Sequence, residues 1–391
     1  MLWRTMGHSR RHPRIGAAIE SKSTMKTLEI NQLPITDYQT VPAAELCART
    51  VAAKRTLGDR VMILGHNYQR DEVIEHADFR GDSLGLSKLA SSHAERPYIV
   101  FCGVHFMAET ADILSRSKQV VILPDLAAGC SMADMAAIEQ VDACWEALGR
   151  VLPVEETVTP AVYVNSAAVL KAFCGEHGGI TCTSSNARAV MEWAWARREK
   201  ILFFPDEHLG RNTANRMGLA RDQMIVWDPF MPNGGNSPEA IRKARLILWK
   251  GHCSVHQMFQ PAHVDYFRKQ YPEGTVIVHP ECHEDVVNKA DLVGSTEFII
   301  KTVTAAPAGT AWAVGTELNL VNRLKREQPD KRVFFLSSTV CQCATMFRID
   351  AAHLCWAMEN LAEGNVVNHI VVPDDEKTWA RIALDRMMAI S

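Results

Sequence analysis

The sequence predicts an α/β protein with three similar units, each an αβα layer arrangement around a parallel β-sheet. Short, continuous apolar runs such as VMILG, ILFFPD and VIVHPE alternate with helical stretches such as NARAVMEWAWAR. Runs of this kind are typical of parallel strands that are buried on both faces. Three features also recur in the same order three times along the chain: polar residues after a strand, a turn with hydroxyl side chains, and a cysteine after a later strand. We call these residues the landmarks of each unit, and their recurrence indicates an internal repeat.

The chain begins with a basic segment, and we expect residues 1–40 to form a poorly ordered leader. Six arginines and lysines precede residue 27, where Glu20 is the single acidic residue. A transit peptide, a disordered tail and a start codon placed upstream of a true start at Met25 are the alternatives.

The first unit is predicted over residues 41–150. Its strand VMILG ends at His66 and Tyr68, the turn GDS contributes Ser83, and the strand VVILPD leads to Cys130. A cysteine at a strand-to-helix turn lies near backbone N–H groups and the positive end of the helix dipole, which favour a thiolate.

The second unit is predicted over residues 151–262 and carries landmarks of the same kind. They are Tyr163 and Asn165 after the strand VYVN, Thr183 and Ser184 in the turn TCTSSNA, and Cys253 after ILWKGHC. An excursion rich in proline, glycine and asparagine, at about 223–244, is predicted to be an insert. A lid over the cavity and an oligomer contact are both open as its role.

The third unit is predicted over residues 263–350. It supplies His279 and Glu281 in VIVHPE, Ser295 and Thr296 in VGST, and Cys343 after RVFFLS. Cys341 is the alternative to Cys343 at this position. We prefer Cys343 because Met346 follows it in CATM much as an apolar residue follows Cys130 in CSM and Cys253 in CSV. Residues 351–391 read as helix, strand and helix, and we expect them to pack back on the first unit.

The spacing of the landmarks supports the repeat. Cys130 lies 64 residues after His66, and Cys343 lies 64 residues after His279. Cys253 lies 90 residues after Tyr163, and the insert accounts for most of the additional 26 residues. Ligands bind beyond the carboxyl ends of parallel strands, so we expect the three sets of landmarks to converge on one cavity if the units face one another.

Three cysteines from distant turns suit an iron-sulfur cluster better than a structural zinc ion, which usually takes four ligands in local pairs. A cluster held by three thiolates keeps one iron open to substrate. The alternative is that the cysteines serve only packing.

His66 and His279, beside Tyr68 and Glu281, suit proton transfer, although strand-end histidines are commonly structural. The hydroxyl turns suit an anionic ligand, unless they are ordinary helix caps.

Composition excludes several classes of protein. The chain has 391 residues, of which 47% are hydrophobic, and a formal net charge of −3, so nothing favours a nucleic-acid or membrane partner. Eleven cysteines without a secretory leader indicate reduced thiols and a cytoplasmic location.

Several long strings resemble the quinolinate synthase family, A-type enzymes of de novo NAD biosynthesis. They are GHNYQRDEVIEHADFRGDSLGLSKLA, FCGVHFMAETADIL, LPDLAAGCSMAD, YVNSAAVLKA, CTSSNA, FFPDEHLG, HPECHEDVV, VGSTEFI and CATM. The resemblance implies three α/β domains around a pseudo-threefold axis with a central active site. It also implies one [4Fe-4S] cluster on Cys130, Cys253 and Cys343. Many members have a proline after the third cysteine, where this chain has Ala344.

The resemblance further implies the condensation of iminoaspartate, supplied by aspartate oxidase, with dihydroxyacetone phosphate, yielding quinolinate, phosphate and water. Tyr68, Glu281 and His66 would move protons. The residues that would hold carboxylates and phosphate are Ser83, Tyr163, Asn165, Thr183, Ser184, His279, Ser295 and Thr296, together with His66 and Glu281. A zinc hydrolase and a non-catalytic iron-sulfur sensor are the competing interpretations.

Overall fold

The computed structural model describes residues 32–115, 119–339 and 342–390, except for the side chain of Leu84. Most of the predicted leader, with Met25, and the competing Cys341 lie outside the described residues. The described chain contains three β-sheets in which all strand pairs are parallel except one. This arrangement confirms the predicted α/β class.

The first unit begins with helix α1 (Ala43–Leu57) and contains four parallel strands. The strands are β1 (Val61–His66), β2 (Phe79–Gly81), β3 (Tyr98–Cys102) and β4 (Val120–Ile122). The remaining helices are α2 (Asp71–Ile74), α3 (Ser83–Ser92), α4 (His105–Leu114) and α5 (Ile138–Gly149).

The second unit has five strands. They are β5 (Val158–Tyr163), β6 (Ile180–Cys182), β7 (Lys200–Phe204), β8 (Met224–Trp227) and β9 (Leu246–Trp249). Its helices are α6 (Val154–Thr157), α7 (Ala168–Glu176), α8 (Ala187–Trp195), α9 (Glu207–Arg216), α10 (Pro238–Lys243), α11 (Ser254–Gln257) and α12 (Pro261–Gln270).

The third unit and the C-terminal segment complete the described chain. The strands are β10 (Thr275–Val278), β11 (Leu292–Val293), β12 (Ala311–Gly315), β13 (Arg332–Phe335) and β14 (His369–Ile370). The helices are α13 (Glu284–Lys289), α14 (Thr296–Ala305), α15 (Leu318–Glu327), α16 (Ala351–Ala362) and α17 (Asp374–Met388). Short 3₁₀ helices occupy Ile35–Asp37, Gly58–Arg60, Ala133–Met135, Arg221–Gln223, Pro232–Gly235 and Met346–Arg348.

The same strand order occurs in all three sheets. Four parallel strands run in the orders β2-β1-β3-β4, β6-β5-β7-β9 and β11-β10-β12-β13. In each sheet the first strand of the unit is flanked by the second and the third. The carboxyl ends of the three leading strands β1, β5 and β10 therefore occupy equivalent positions.

The predicted insert at 223–244 forms an additional edge strand and a helix. Strand β8 pairs in parallel with β9 outside the common four strands, and α10 follows it. Gly234, with φ of 65°, lies against the Trp227 ring, where a Cβ atom would approach the ring to 2.3 Å. The excursion thus closes a tight turn over the edge strand.

Both ends of the described chain pack on the first unit in ways that differ from expectation. The prediction assigned residues 1–40 to a poorly ordered leader, yet Tyr38 is 2% exposed and its hydroxyl lies 2.5 Å from Glu359 Oε2 on α16. Leu33 and Ile35 also pack on the core of the first unit. These apolar side chains explain the order of residues 33–40.

The C-terminal segment contacts two units, whereas the prediction placed it on the first alone. Strand β14 pairs antiparallel with β4, and α16 packs on α1. Helix α17, however, packs on α7 of the second unit. Gly175 makes this close approach feasible, since a Cβ atom there would lie 1.9 Å from the Trp379 carbonyl oxygen.

Candidate active site

A cavity of about 90 Å³ lies where the three units meet. All of the predicted site residues except Ser295 line it: His66, Tyr68, Ser83, Cys130, Tyr163, Asn165, Thr183, Ser184, Cys253, His279, Glu281, Thr296 and Cys343. Apolar side chains, among them Val104, Phe106, Met132 and Met346, complete its wall. The three sets of landmarks therefore face a single space.

Equivalent strand ends supply the two histidines. His66 is the last residue of β1, and His279 directly follows β10. The Nδ1 atom of His66 accepts the Tyr68 backbone N–H at 3.1 Å, and that of His279 accepts the Glu281 N–H at 3.4 Å. An Nδ1 that accepts places the proton of the neutral ring on Nε2.

Burial keeps both imidazoles neutral. Desolvation, with a smaller contribution from the Arg323 cation, lowers the pKa of His66 to about 3. Burial also lowers the pKa of His279 to about 3, against the opposing effect of Glu281. At neutral pH each ring therefore offers one N–H donor and carries no charge.

Glu281 is the buried carboxylate of the cavity, with 3% of its surface exposed. The Tyr163 hydroxyl donates to its Oε1 at 2.6 Å, and His256 Nδ1 lies 2.7 Å from its Oε2. Burial alone would raise the pKa of Glu281, but His279, His256 and the Tyr163 hydrogen bond outweigh it and lower the pKa. Glu281 is therefore ionised at neutral pH although it is buried.

Tyr68 lies on the opposite side of the same polar network. Its hydroxyl lies 2.9 Å from Thr296 Oγ1 and 2.8 Å from Thr316 Oγ1. Burial raises the pKa of Tyr68 well above its usual value. The phenol therefore keeps its proton and can act as an acid.

His256 and Thr316 join Glu281 to Tyr68. His256 Nε2 lies 3.2 Å from Thr316 Oγ1, and its ring stacks on His279 with centroids 4.6 Å apart. Neither His256 nor Thr316 was among the predicted site residues. A polar residue at the end of a third strand, where AWAVG runs into Thr316, is the signal that could have identified this threonine.

The three cysteines occupy equivalent turns. The carbonyl groups of Cys130, Cys253 and Cys343 each accept the N–H four residues ahead at 3.0 Å. Each cysteine thus begins a short helical turn at the cavity wall. Cys343 thus shares the backbone geometry of Cys130 and Cys253, whereas the competing Cys341 lies outside the described residues.

The thiols suit a cationic metal centre. All three are free, and burial raises the pKa of each, that of Cys130 to about 12. Glu281 and the thiols of Cys130 and Cys343 raise the pKa of Cys253 further. Three free, half-buried cysteines that line one cavity fit a group that brings its own positive charge.

A second combination of metal ligands shares Cys253. Its Sγ, a ring nitrogen of His256 and a carboxylate oxygen of Glu281 all lie within 4.8 Å of one another. The cavity therefore contains Cys and His side chains that are compatible with a metal centre.

The hydroxyl-bearing turns divide into two groups. Ser83 and Thr296 are the first residues of α3 and α14, and Thr183 and Ser184 precede α8. Asp82 caps the N-terminus of α3 by accepting the Gly85 N–H, so the Ser83 hydroxyl is not the helix cap. Ser295, by contrast, caps α14 through the Phe298 N–H at 3.4 Å and lines an adjacent cavity that also reaches Ser184.

Helix α15 of the third unit holds the loop that carries His66 and Tyr68. The buried Arg323 guanidinium donates to the carbonyls of Asn67 and Gln69, each at 2.7 Å. Because charge-assisted bonds to a buried carbonyl are among the stronger ones, this arginine fixes the loop. The sequence did not predict this contact.

The corresponding helices of the other units make equivalent contacts. Asn212 on α9 donates to the carbonyls of Pro280 and Cys282, at 2.9 and 2.8 Å. Glu109 on α4 accepts the Ala168 N–H at 3.0 Å. In each unit, the helix that follows the third strand therefore contacts the segment after the first strand of another unit. The third unit holds the first in this way, the second holds the third, and the first holds the second.

Comparisons with known proteins identify the family. A family model described as quinolinate synthetase A protein matches residues 49–389. The quinolinate synthase of Acidobacterium capsulatum is 58% identical over 356 residues, covering 90% of this chain and 95% of that protein. That of Rhodopirellula baltica is 55% identical over 368 residues, covering 91% and 94%. The chain therefore belongs to the quinolinate synthase family of NAD-biosynthetic enzymes.

Proposed function

We propose that the enzyme condenses iminoaspartate with dihydroxyacetone phosphate to form quinolinate, releasing phosphate and water. The observation that carries this proposal is the convergence of three equivalently placed cysteines and an ionised Glu281 on one cavity. Iminoaspartate is unstable in water, so we also propose that aspartate oxidase supplies it in the same reducing compartment, the cytoplasm.

Cys130, Cys253 and Cys343 would hold a [4Fe-4S] cluster. Their chemistry supports this assignment because three thiolates leave one iron without a protein ligand. When bound, the cluster would supply a Lewis acid that favours loss of a hydroxyl group. The apolar side chains of Met132 and Met346, both buried in the cavity wall, would exclude water from it.

Glu281 and Tyr68 would move the protons. The carboxylate of Glu281, held by Tyr163 and His256, would accept a proton from a substrate carbon or nitrogen. The phenol of Tyr68, held by Thr296 and Thr316, would donate one to a leaving oxygen. General acids and bases of this kind contribute about 10²–10⁴-fold each.

The remaining residues would bind the anionic groups of the substrates. The neutral Nε2–H groups of His66 and His279, the phenol of Tyr163 and the Asn165 amide are donors suited to carboxylates. Ser83, Thr183, Ser184 and Thr296, at helix starts, suit a phosphate or carboxylate. We include Ser295 as a more distant contributor through the adjacent cavity it shares with Ser184.

We further propose that the three units are domains related by a pseudo-threefold axis through this cavity. The repeated strand order and the sequence of contacts made by Arg323, Asn212 and Glu109 support the proposal. A cyclic set of equivalent contacts is what such an axis would require.

The test is the formation of quinolinate by anaerobic protein from iminoaspartate and dihydroxyacetone phosphate. We expect Glu281→Gln to retain the iron of the wild type and lose at least about 100-fold in kcat, because the amide cannot act as the base. Glu284→Gln, three residues away and bound to Arg221 at 2.7 Å, is the matched control and should keep its activity. Turnover near wild type in Glu281→Gln would refute the assigned role.

A further inference from the structure

A cluster of side chains in the first unit, outside the central cavity, has the composition of a metal site. Cys47 lies on α1, and Glu75 and His76 directly follow α2. A thiol sulfur, a carboxylate oxygen and a ring nitrogen from these residues lie within 4.8 Å of one another. Zn²⁺ is the common ion that accepts all three ligand types.

His76 provides an independent indication of a ligand. The residue is 8% exposed, and its Nε2 has no hydrogen-bond partner among the described residues. The nearest acidic atom, Glu75 Oε1, lies at 3.7 Å, beyond hydrogen-bonding distance. Because a buried ring nitrogen without a partner costs free energy, its surroundings favour an occupant that it can bind.

The surrounding charges also favour a cation. Two cations of this region are paired with carboxylates outside the ligand set: Lys54 lies 2.8 Å from Asp78, and Arg70 lies 3.2 Å from Glu72. Their charges are therefore largely balanced without Glu75, whose carboxylate is left available to a bound cation.

We propose that Cys47, Glu75 and His76 bind one Zn²⁺ ion, with water as the fourth ligand. The exposed carboxylate of Glu75 leaves the ion open to solvent on one side. The ion joins α1 to the turn after α2, and α2 follows the loop that carries His66 and Tyr68. Its role is to stabilise this part of the first unit, separately from the chemistry of the central cavity.

The test uses anaerobically purified protein with its iron intact, incubated with one equivalent of zinc chloride and desalted. We expect one zinc per chain, no loss of iron, and a zinc X-ray absorption spectrum with a single sulfur at about 2.3 Å and the other ligands at about 2.0–2.2 Å. Cys47→Ser and His76→Gln should each weaken zinc binding at least 10-fold. Zinc should raise the thermal unfolding midpoint of the wild type but of neither variant.

Glu72→Gln is the matched control, because Glu72 is a neighbouring carboxylate outside the ligand set, and it should retain zinc. The proposal is overturned if the wild type retains no zinc, or if Cys47→Ser binds zinc as tightly as the wild type. It is also overturned if the spectrum shows two or more sulfurs while iron is lost, because the zinc would then occupy the central cavity. Since Cys47 is half-buried, its serine variant tests the site even if His76→Gln fails to fold.

Discussion

His66 shows how one residue combines a structural role with a chemical one. The Nδ1 atom of its ring accepts the Tyr68 N–H, and this hydrogen bond shapes the loop. Burial keeps the ring neutral, so its Nε2–H remains a donor in the cavity. His279 repeats the same contact in the third unit. The repeat therefore preserves a side-chain hydrogen bond as well as a strand order.

The low pKa of His66 predicts a dependence of stability on pH. The unfolded histidine takes up a proton near pH 6.5, whereas the folded residue does so only near pH 3. Above pH 6.5 neither state is protonated and the group has no effect. Between these values the unfolded state binds one more proton, so stability falls as the pH falls, by about 1.4 kcal/mol per pH unit from this residue alone.

We therefore expect His66→Asn to lose less stability than the wild type when the pH is lowered from 7.5 to 5.5. Asparagine can accept the Tyr68 N–H but cannot bind a proton in this range. Urea unfolding under anaerobic conditions at the two pH values measures the difference. An identical pH dependence in the wild type and the variant would show that His66 is not buried in its neutral form.

The residues that line the cavity were largely predictable from the sequence, and their connections were not. Recurring landmarks indicated the strand ends and the three cysteines because a repeat exposes equivalent positions to simple counting. His256 and Thr316 connect Glu281 with Tyr68 through side chains that only the tertiary structure brings together. No local pattern encodes such a contact.

Helix α15 holds the loop after His66 through the side chain of Arg323. Arg323→Met should leave the Asn67 and Gln69 carbonyls without their buried donor, at a cost of about 1–3 kcal/mol for each. The displaced loop should lower kcat about 10–100-fold, since small misplacements of catalytic groups are costly. Measuring kcat, iron content and the free energy of unfolding separates the two effects.

Arg326→Met is the matched control for this prediction. Arg326 lies one turn further along α15, its side chain is 55% exposed, and its guanidinium lies 2.6 Å from the Asp71 carboxylate. An exposed ion pair of this kind contributes little, so kcat should be unchanged. Equal losses of activity in the two variants would argue against a specific role for Arg323.

The insert of the second unit provides a test at the level of one strand. Gly234→Ala places a Cβ atom 2.3 Å from the Trp227 ring, so the turn over β8 has to shift. Gly218→Ala has a similar positive φ of 79° but nothing within 4 Å. We expect Gly234→Ala to lose about 1–3 kcal/mol more than Gly218→Ala in urea unfolding, and equal losses would contradict the packing of Gly234 on Trp227.

The position of the insert was predictable, and its structure was not. Proline, glycine and asparagine indicated an insert, and the difference in spacing gave its approximate length. The sequence does not reveal that MIVW forms an edge strand beside β9, because a short apolar run is equally compatible with other structures. The pairing of β8 with β9 accounts for this strand without a role as a lid or as an oligomer contact.

The whole molecule depends on contacts between units. Each unit contributes one cysteine and one set of strand-end residues to the cavity, and a helix of another unit holds each set in position. No described helix is both long and apolar enough to cross a membrane. The C-terminal segment joins the first and second units through β14 and α17.

The sequence predicted the repeat but not these contacts between units. Strand alternation and spacing are local properties, so they indicate how many units exist and where each one begins. Arg323 and Asn212 lie in ordinary helical stretches, and nothing in those stretches indicates which backbone carbonyls they reach. The packing of α17 on α7 likewise depends on one glycine, Gly175, whose importance becomes visible only in the folded chain.

Iron and sulfide, counted per chain in anaerobically purified cysteine variants, test whether three units together hold one cluster. We expect about four of each in the wild type. Cys130→Ser, Cys253→Ser and Cys343→Ser should each lose the cluster, because each unit supplies one ligand. Cys282→Ser, at a buried cysteine that does not line the cavity, and Cys341→Ser should keep it. A full complement of iron in any of the first three variants would contradict the proposed site.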